Sequence, residues 1–199
     1  MLADLFHAPG ETTGARTQGS SEAIMLGALV AEVEVAERAR RRPERSTTSP
    51  NLVVRRRRPC GVGEVLPLLR RRAADRAARS RASTRSARRT SRPHIDENTI
   101  GVAAVLGTTF TGHKDDIVGH QRPAAARSRA QRGIDVPLHV DGASGGFVWP
   151  FLYPHSEWDF RLEQVRSINV SGHKFGLVYP GIGWLIFRET ADLAEDLVF

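Results

Sequence analysis

Ser167-Ile168-Asn169-Val170-Ser171-Gly172-His173-Lys174-Phe175-Gly176 decides how the chain is read. A short apolar strand pattern runs into Ser-Gly-His-Lys, and a glycine follows. This places one lysine just past a strand end, in a tight turn. Lys174 is one of only two lysines in the chain, against 27 arginines. A lysine amine condenses with an aldehyde; an arginine guanidinium stays protonated and does not. The alternative is a surface lysine in a loop, which an isolated Ser-x-His-Lys would favour.

The upstream sequence shifts that balance. Val136-Pro137-Leu138-His139-Val140-Asp141-Gly142-Ala143-Ser144-Gly145-Gly146 reads as a buried strand ending in an aspartate, then a loop of small residues. A carboxylate at a strand's carboxyl end can pair with a pyridinium nitrogen and keep it protonated. A strand-end aspartate plus a strand-end lysine is the skeleton of a pyridoxal phosphate site.

At these residues the sequence resembles the group II pyridoxal-phosphate decarboxylases, and glutamate decarboxylase in particular. The resemblance rests on His-Val-Asp-x-Ala-Ser-Gly-Gly-Phe at 139–147, Trp-Asp-Phe-Arg-Leu at 158–162 and Ser-Ile-Asn-Val-Ser-Gly-His-Lys-Phe-Gly-Leu-Val-Tyr-Pro-Gly-Ile-Gly-Trp at 167–184. Two further blocks are similar, Met1 to about Leu29 and His94 to about Val118. Together they cover somewhat over half the chain.

The resemblance implies an α/β fold of the fold type I class, a mostly parallel sheet flanked by helices, here an incomplete large domain over residues 1–199. It implies that the N-terminal segment and the C-terminal small domain are absent. It implies pyridoxal 5'-phosphate as cofactor and L-glutamate as substrate, with 4-aminobutyrate and CO2 as products. Lys174 would hold the cofactor covalently and Asp141 would face its ring nitrogen. Ala143 would lie near the ring face. Ser20, Ser21, Ser171 and His173 would surround the phosphate, and Thr109 would contact the cofactor. A homo-oligomer and a cytoplasmic location are also implied. Gly142 stands where the family usually has an alanine. The family's ring-stacking residue should follow Val54, where an arginine run stands instead. Little or no activity is therefore expected of the chain as written. Another decarboxylase or lyase of the same group is the alternative.

Some of these residues also carry signals of their own. Gly19-Ser20-Ser21-Glu22-Ala23 reads as a helix start, where free N–H groups and hydroxyls make an anion site; spacing alone favours an ordinary serine cap. Gly101-Val102-Ala103-Ala104-Val105-Leu106-Gly107 is a continuous apolar run, as expected of a parallel strand buried on both faces. It ends in Thr108-Thr109, which would face a ligand crevice or simply close a β-branched strand. Residues 113–133 should be a crossover helix starting near Asp115-Asp116-Ile117, although 119–127 carry no clear apolar stripe. His7, His94, His113 and His120 lack metal-ligand spacing.

Composition divides the chain. The net charge is +7, yet residues 38–92 hold 19 Arg and 3 acids while the remainder holds 10 basic and 19 acidic residues. Residues 30–92 form an arginine-rich segment of low complexity. A basic arm for nucleic acid is disfavoured because no aromatic residue interrupts the run to stack on bases. A solvated disordered insert is a second reading. The third is a frame-shifted stretch of a GC-rich gene. Arg55 to Leu69 can be encoded so that dropping one base gives Gly-Gly-Asp-Val-His-Val-Ala-Trp-Glu-Lys-Phe-Cys-Arg-Tyr, which is family-like. An inactive remnant carrying a basic segment remains the non-enzymatic alternative. The single cysteine, Cys60, rules out an internal disulfide and suits a cytosolic setting. No run approaches the ~18 apolar residues of a membrane span.

Overall fold

The computed structural model describes residues 1–41, 51–54, 72–73, 99–121 and 136–193 of the 199. A seven-stranded sheet organises them. In chain order its strands are β1 (Thr13–Thr17), β2 (Asn51–Val54), β3 (Arg72–Ala73), β4 (Thr99–Val105), β5 (Leu138–Asp141), β6 (Val165–Ser171) and β7 (Gly183–Phe187). The spatial order is β1-β7-β6-β5-β4-β2-β3. Pairings from β3 through β2, β4 and β5 to β6 are parallel. β7 runs against both β6 and β1, so six strands share one direction.

The central strands are apolar because both their faces are covered. Val102, Ala104, Val140, Ile168 and Val170 are all buried. Alternation along β7 shows the two layers. Ile186 joins a core with Phe6, Trp158, Phe160 and Leu162, whereas Leu185 and Phe187 join Ala23 and Val30. The second layer is α2 (Ser20–Arg41). In the first, the short helix α1 (Leu2–Leu5) delivers Phe6 edge-on to Trp158, with ring centroids 5.3 Å apart.

α2 carries helix into the arginine-rich segment, where Ala, Glu and Arg all favour that conformation. β2 and β3 also fall within 30–92; the rest of that segment, Cys60 included, lies outside the described residues. The crossover helix expected over 113–133 is helical at 117–121, and 122–133 lies outside them too. The aromatic stretch at 147–153 forms the one-turn helix α3 (Trp149–Leu152).

Three connections converge at the carboxyl ends of β4, β5 and β6, and one glycine sets how closely. Gly145 donates its N–H to Leu106 O at 2.9 Å. A Cβ at 145 would collide with that same carbonyl oxygen. The loop after β5 therefore presses onto the end of β4 only because Gly145 has no side chain. At Gly142, the departure noted in the sequence, a Cβ would stand 2.9 Å from Asn169 O, so an alanine there would need the two strands to shift.

Candidate active site

A cavity of about 420 Å3 opens at these strand ends, within the roughly 300–1,000 Å3 usual for small-molecule sites. It lies in the crevice where an open α/β sheet places its ligands. Seven of the eight residues singled out from the sequence line it: Ser20, Ser21, Thr109, Asp141, Ala143, His173 and Lys174. Ser171, expected around the phosphate, is fully buried and is not among the lining residues. Its Oγ lies 3.3 Å and 3.4 Å from the two ring nitrogens of His173.

Each side chain is placed by its element. Asp141 is the last residue of β5 and is buried. Its Oδ1 accepts from Ala143 N–H and from Asn169 Nδ2, both at 3.0 Å. Among the described residues no bond falls on Oδ2. Lys174 follows β6 in the turn opened by Gly172 and is half-buried; its Nζ donates to Ser144 Oγ at 3.4 Å. Ser20 and Ser21 open α2, whose first N–H groups have no intrahelical acceptor. Those free donors and the helix dipole make that end an anion site. Glu22 accepts from Gln18 N–H at 2.5 Å and so fixes the approach to the helix.

Thr108, expected with Thr109 to face a ligand crevice, lines the cavity too; Gln18, Glu22 and Ser144 also line it and were not singled out from the sequence. Each sits within two residues of a position that was. Two residues behind the wall, the part-buried His139 and the fully buried Asn169, were missed as well. His139 Nε2 meets Asn169 Oδ1 at 2.8 Å, and His139 Nδ1 meets Ser167 Oγ at 2.8 Å.

Burial holds His139 below its ordinary value of 6.5, outweighing the attraction of Asp141 and the bond to Asn169. The unfolded chain therefore takes up a proton near pH 6.5 that the folded chain refuses. The stabilisation is complete above that pH and is lost as the pH falls towards the depressed folded value. The thermal midpoint is expected to drop on acidification from about pH 7 to about pH 5, and His139→Gln to remove this component. Scanning calorimetry of both proteins across that range checks it.

The residues present fit a group with an anionic end, an aldehyde and a basic ring nitrogen. A helix N-terminus with two hydroxyls, a lysine amine and a carboxylate oxygen bare of described partners share one cavity. Among the described residues there is no cluster of ligands for a metal ion. No helix among them is long and apolar enough to cross a membrane.

Fold and site together thus define a pyridoxal-type binding domain, and the comparison with known proteins is more specific. The profile described as the pyridoxal-dependent decarboxylase conserved domain matches residues 77–199, and the chain belongs to that family. Among curated relatives, glutamate decarboxylase 5 of Arabidopsis thaliana is 43% identical over all of this chain and 40% of its own length. The glutamate decarboxylase of Aliivibrio fischeri is 40% identical over all of this chain and 42% of its own length. Among solved structures, glutamate decarboxylase of Lactobacillus brevis superposes with a TM-score of 0.87 at 34% identity, covering all of this chain and 45% of that one. The chain spans less than half the length of these relatives.

Proposed function

We propose that this chain forms the cofactor-binding part of a pyridoxal-phosphate-dependent carboxy-lyase that converts L-glutamate to 4-aminobutyrate and CO2. The observation that carries the reading is the meeting of the Lys174 amine, the Asp141 carboxylate and the α2 N-terminus in one cavity. The similarity to proteins named glutamate decarboxylase supports the choice of substrate.

Lys174 Nζ is the amine that would bond the cofactor's aldehyde carbon and release it to the substrate's amine. Ser144 Oγ, already within reach, accepts from that amine when it is free. Asp141 Oδ2 would hold a proton at the ring nitrogen. Ser20, Ser21 and the α2 N–H groups would bind the phosphate, with His173 on the same wall. Thr109 and Ala143 would bound the ring. When bound, the cofactor supplies an electron-withdrawing ring that takes up the electron pair left by the departing carboxylate. Overall the Cα–carboxyl bond breaks, CO2 leaves, and a proton takes the carboxyl's place on Cα.

Two finer points belong to the same proposal. A homo-oligomer is supported by exposed apolar side chains, including Phe110, Phe175, Leu177 and Tyr179. A cytoplasmic location is supported by the single cysteine.

The test supplies the purified chain with pyridoxal phosphate and carboxyl-labelled amino acids. Because little activity is expected of the chain as written, the expected result is slow release of labelled CO2 and 4-aminobutyrate in equal amounts from L-glutamate, with none of either from aromatic amino acids. Turnover of another amino acid in place of glutamate would shift the assignment to a different decarboxylase of the group. Failure to take up pyridoxal phosphate would remove the site assignment itself.

A further inference from the structure

We propose that Ser167, His139 and Asn169 form a hydrogen-bonded relay that aims the Asp141 carboxylate into the cavity, making His139 and Asn169 positioning residues for the reaction. The inference rests on the reading of Asp141 as the partner of the cofactor's ring nitrogen.

Strand register assembles the relay. β5 and β6 pair in parallel with His139 opposite Ser167 and Asp141 opposite Asn169. Positions two apart on a strand share a face, so the four side chains form a square on one side of the sheet. Ser167 lies 2.8 Å from His139 Nδ1, His139 Nε2 lies 2.8 Å from Asn169 Oδ1, and Asn169 Nδ2 lies 3.0 Å from Asp141 Oδ1. Asn169 is fully buried. α2 crosses this face and presents Gly27 to the imidazole; a Cβ there would lie 3.6 Å from His139 Cε1.

Hydrogen-bond chemistry gives the chain of contacts one direction. An ionised carboxylate only accepts, so Asn169 must turn its NH2 to Asp141 and its carbonyl oxygen to His139. That oxygen needs a donor, so Nε2 carries the imidazole proton. A neutral imidazole then has a bare Nδ1, which accepts from the Ser167 hydroxyl. Burial favours the neutral ring, in agreement with this assignment. Without the His139 donor the Asn169 amide has no reason to keep this orientation, and its flipped form would set oxygen against carboxylate. Asn169 and Ala143 together occupy Oδ1, which leaves Oδ2 for the cavity. Neither His139 nor Asn169 lines the cavity.

The test loads the full chain with pyridoxal phosphate carrying 15N in its ring. It reads the dissociation constant, the 15N chemical shift and the thermal midpoint of the unloaded protein. His139→Leu and Asn169→Leu should each weaken binding at least about tenfold, the scale of one hydrogen bond to a charged group, and move the 15N signal. His139→Gln keeps a donor where Nε2 stood and should restore both readouts. Ser167→Ala, a small change for use if the leucine variants do not fold, should shift the signal in the same direction by less. Wild-type affinity and 15N shift in the folded variants would overturn the relay and leave the cofactor site standing. So would His139→Gln failing to the same extent as His139→Leu. A wild-type chain that takes up no pyridoxal phosphate would overturn the underlying reading together with the relay.

Discussion

Lys174→Ala abolishes covalent labelling when the chain is mixed with pyridoxal phosphate and reduced with borohydride. The argument is one of inventory and place. The chain has two lysines, and the other, Lys114, is exposed and donates to Ser156 Oγ at 2.9 Å. Of the two, Lys174 alone lines the cavity that also holds the α2 N-terminus and the Asp141 carboxylate, where the proposal puts the phosphate and the ring nitrogen. Binding holds the aldehyde against one amine, and effective molarity for such an arrangement reaches about 10^5 M or more. Peptide mapping of the reduced wild type should therefore find the label at Lys174. Label on Lys114 or on the N-terminal amine to the same extent would contradict the assignment. Turnover should be lost together with the label, and the thermal midpoint should stay near wild type, because Nζ makes only a 3.4 Å contact with Ser144.

Asp141→Asn weakens pyridoxal phosphate binding by roughly a hundredfold, about 3 kcal/mol. The substitution keeps the shape of the side chain. Its oxygen can still accept from Ala143 N–H and Asn169 Nδ2, so the loop after β5 keeps its anchor. The group turned to the cavity becomes a neutral amide that can no longer hold a protonated ring nitrogen. The buried pair loses its charge and little else. Titration followed by cofactor absorbance gives the affinity. Calorimetry of the unloaded protein gives the control, with an expected change of under ~1 kcal/mol. An unchanged dissociation constant would show that Asp141 does not face the ring nitrogen.

How legible these features were in the sequence depended on how local they are. The run 101–107 and the stretch 136–141 declared buried strands by continuous apolar character. Asp141 and Lys174 stood out because each closes such a run. Ser20 was legible as a helix start because capping chemistry is written in adjacent residues. The reversed direction of β7 was not legible, because a buried strand reads the same either way along the sheet. Ser171 could not be assigned to the inner side of His173, since β6 is buried almost throughout. The His139–Asn169 contact was hidden for a deeper reason. Both residues stood in quoted motifs, yet their meeting depends on the register between two strands nearly thirty positions apart. Most of 30–92, where the frame-shifted reading applies, lies outside the described residues. That reading stays a proposal, and the nucleotide sequence across the segment tests it.

The pairing of β1 with β7 sets when the site can come into being. Thr12 Oγ1 donates to Arg188 O at 3.3 Å across 176 positions of sequence, so the sheet edge joins the two extremes of the described chain. The same closure brings Ser20 and Ser21 from one extreme to Lys174 from the other. Contacts this distant in sequence are slow to form, because loop-closure entropy must be met before they give any return. The proposed phosphate pocket is therefore expected to assemble among the last features of the fold, and a chain emerging from the ribosome holds Ser20 and Ser21 long before it has Lys174 to set beside them. A ligand that binds only the closed form then acts as a latch on the finished molecule. In a cell short of pyridoxal phosphate, the first loss would be the abundance of this protein, through turnover of chains whose edge has not closed.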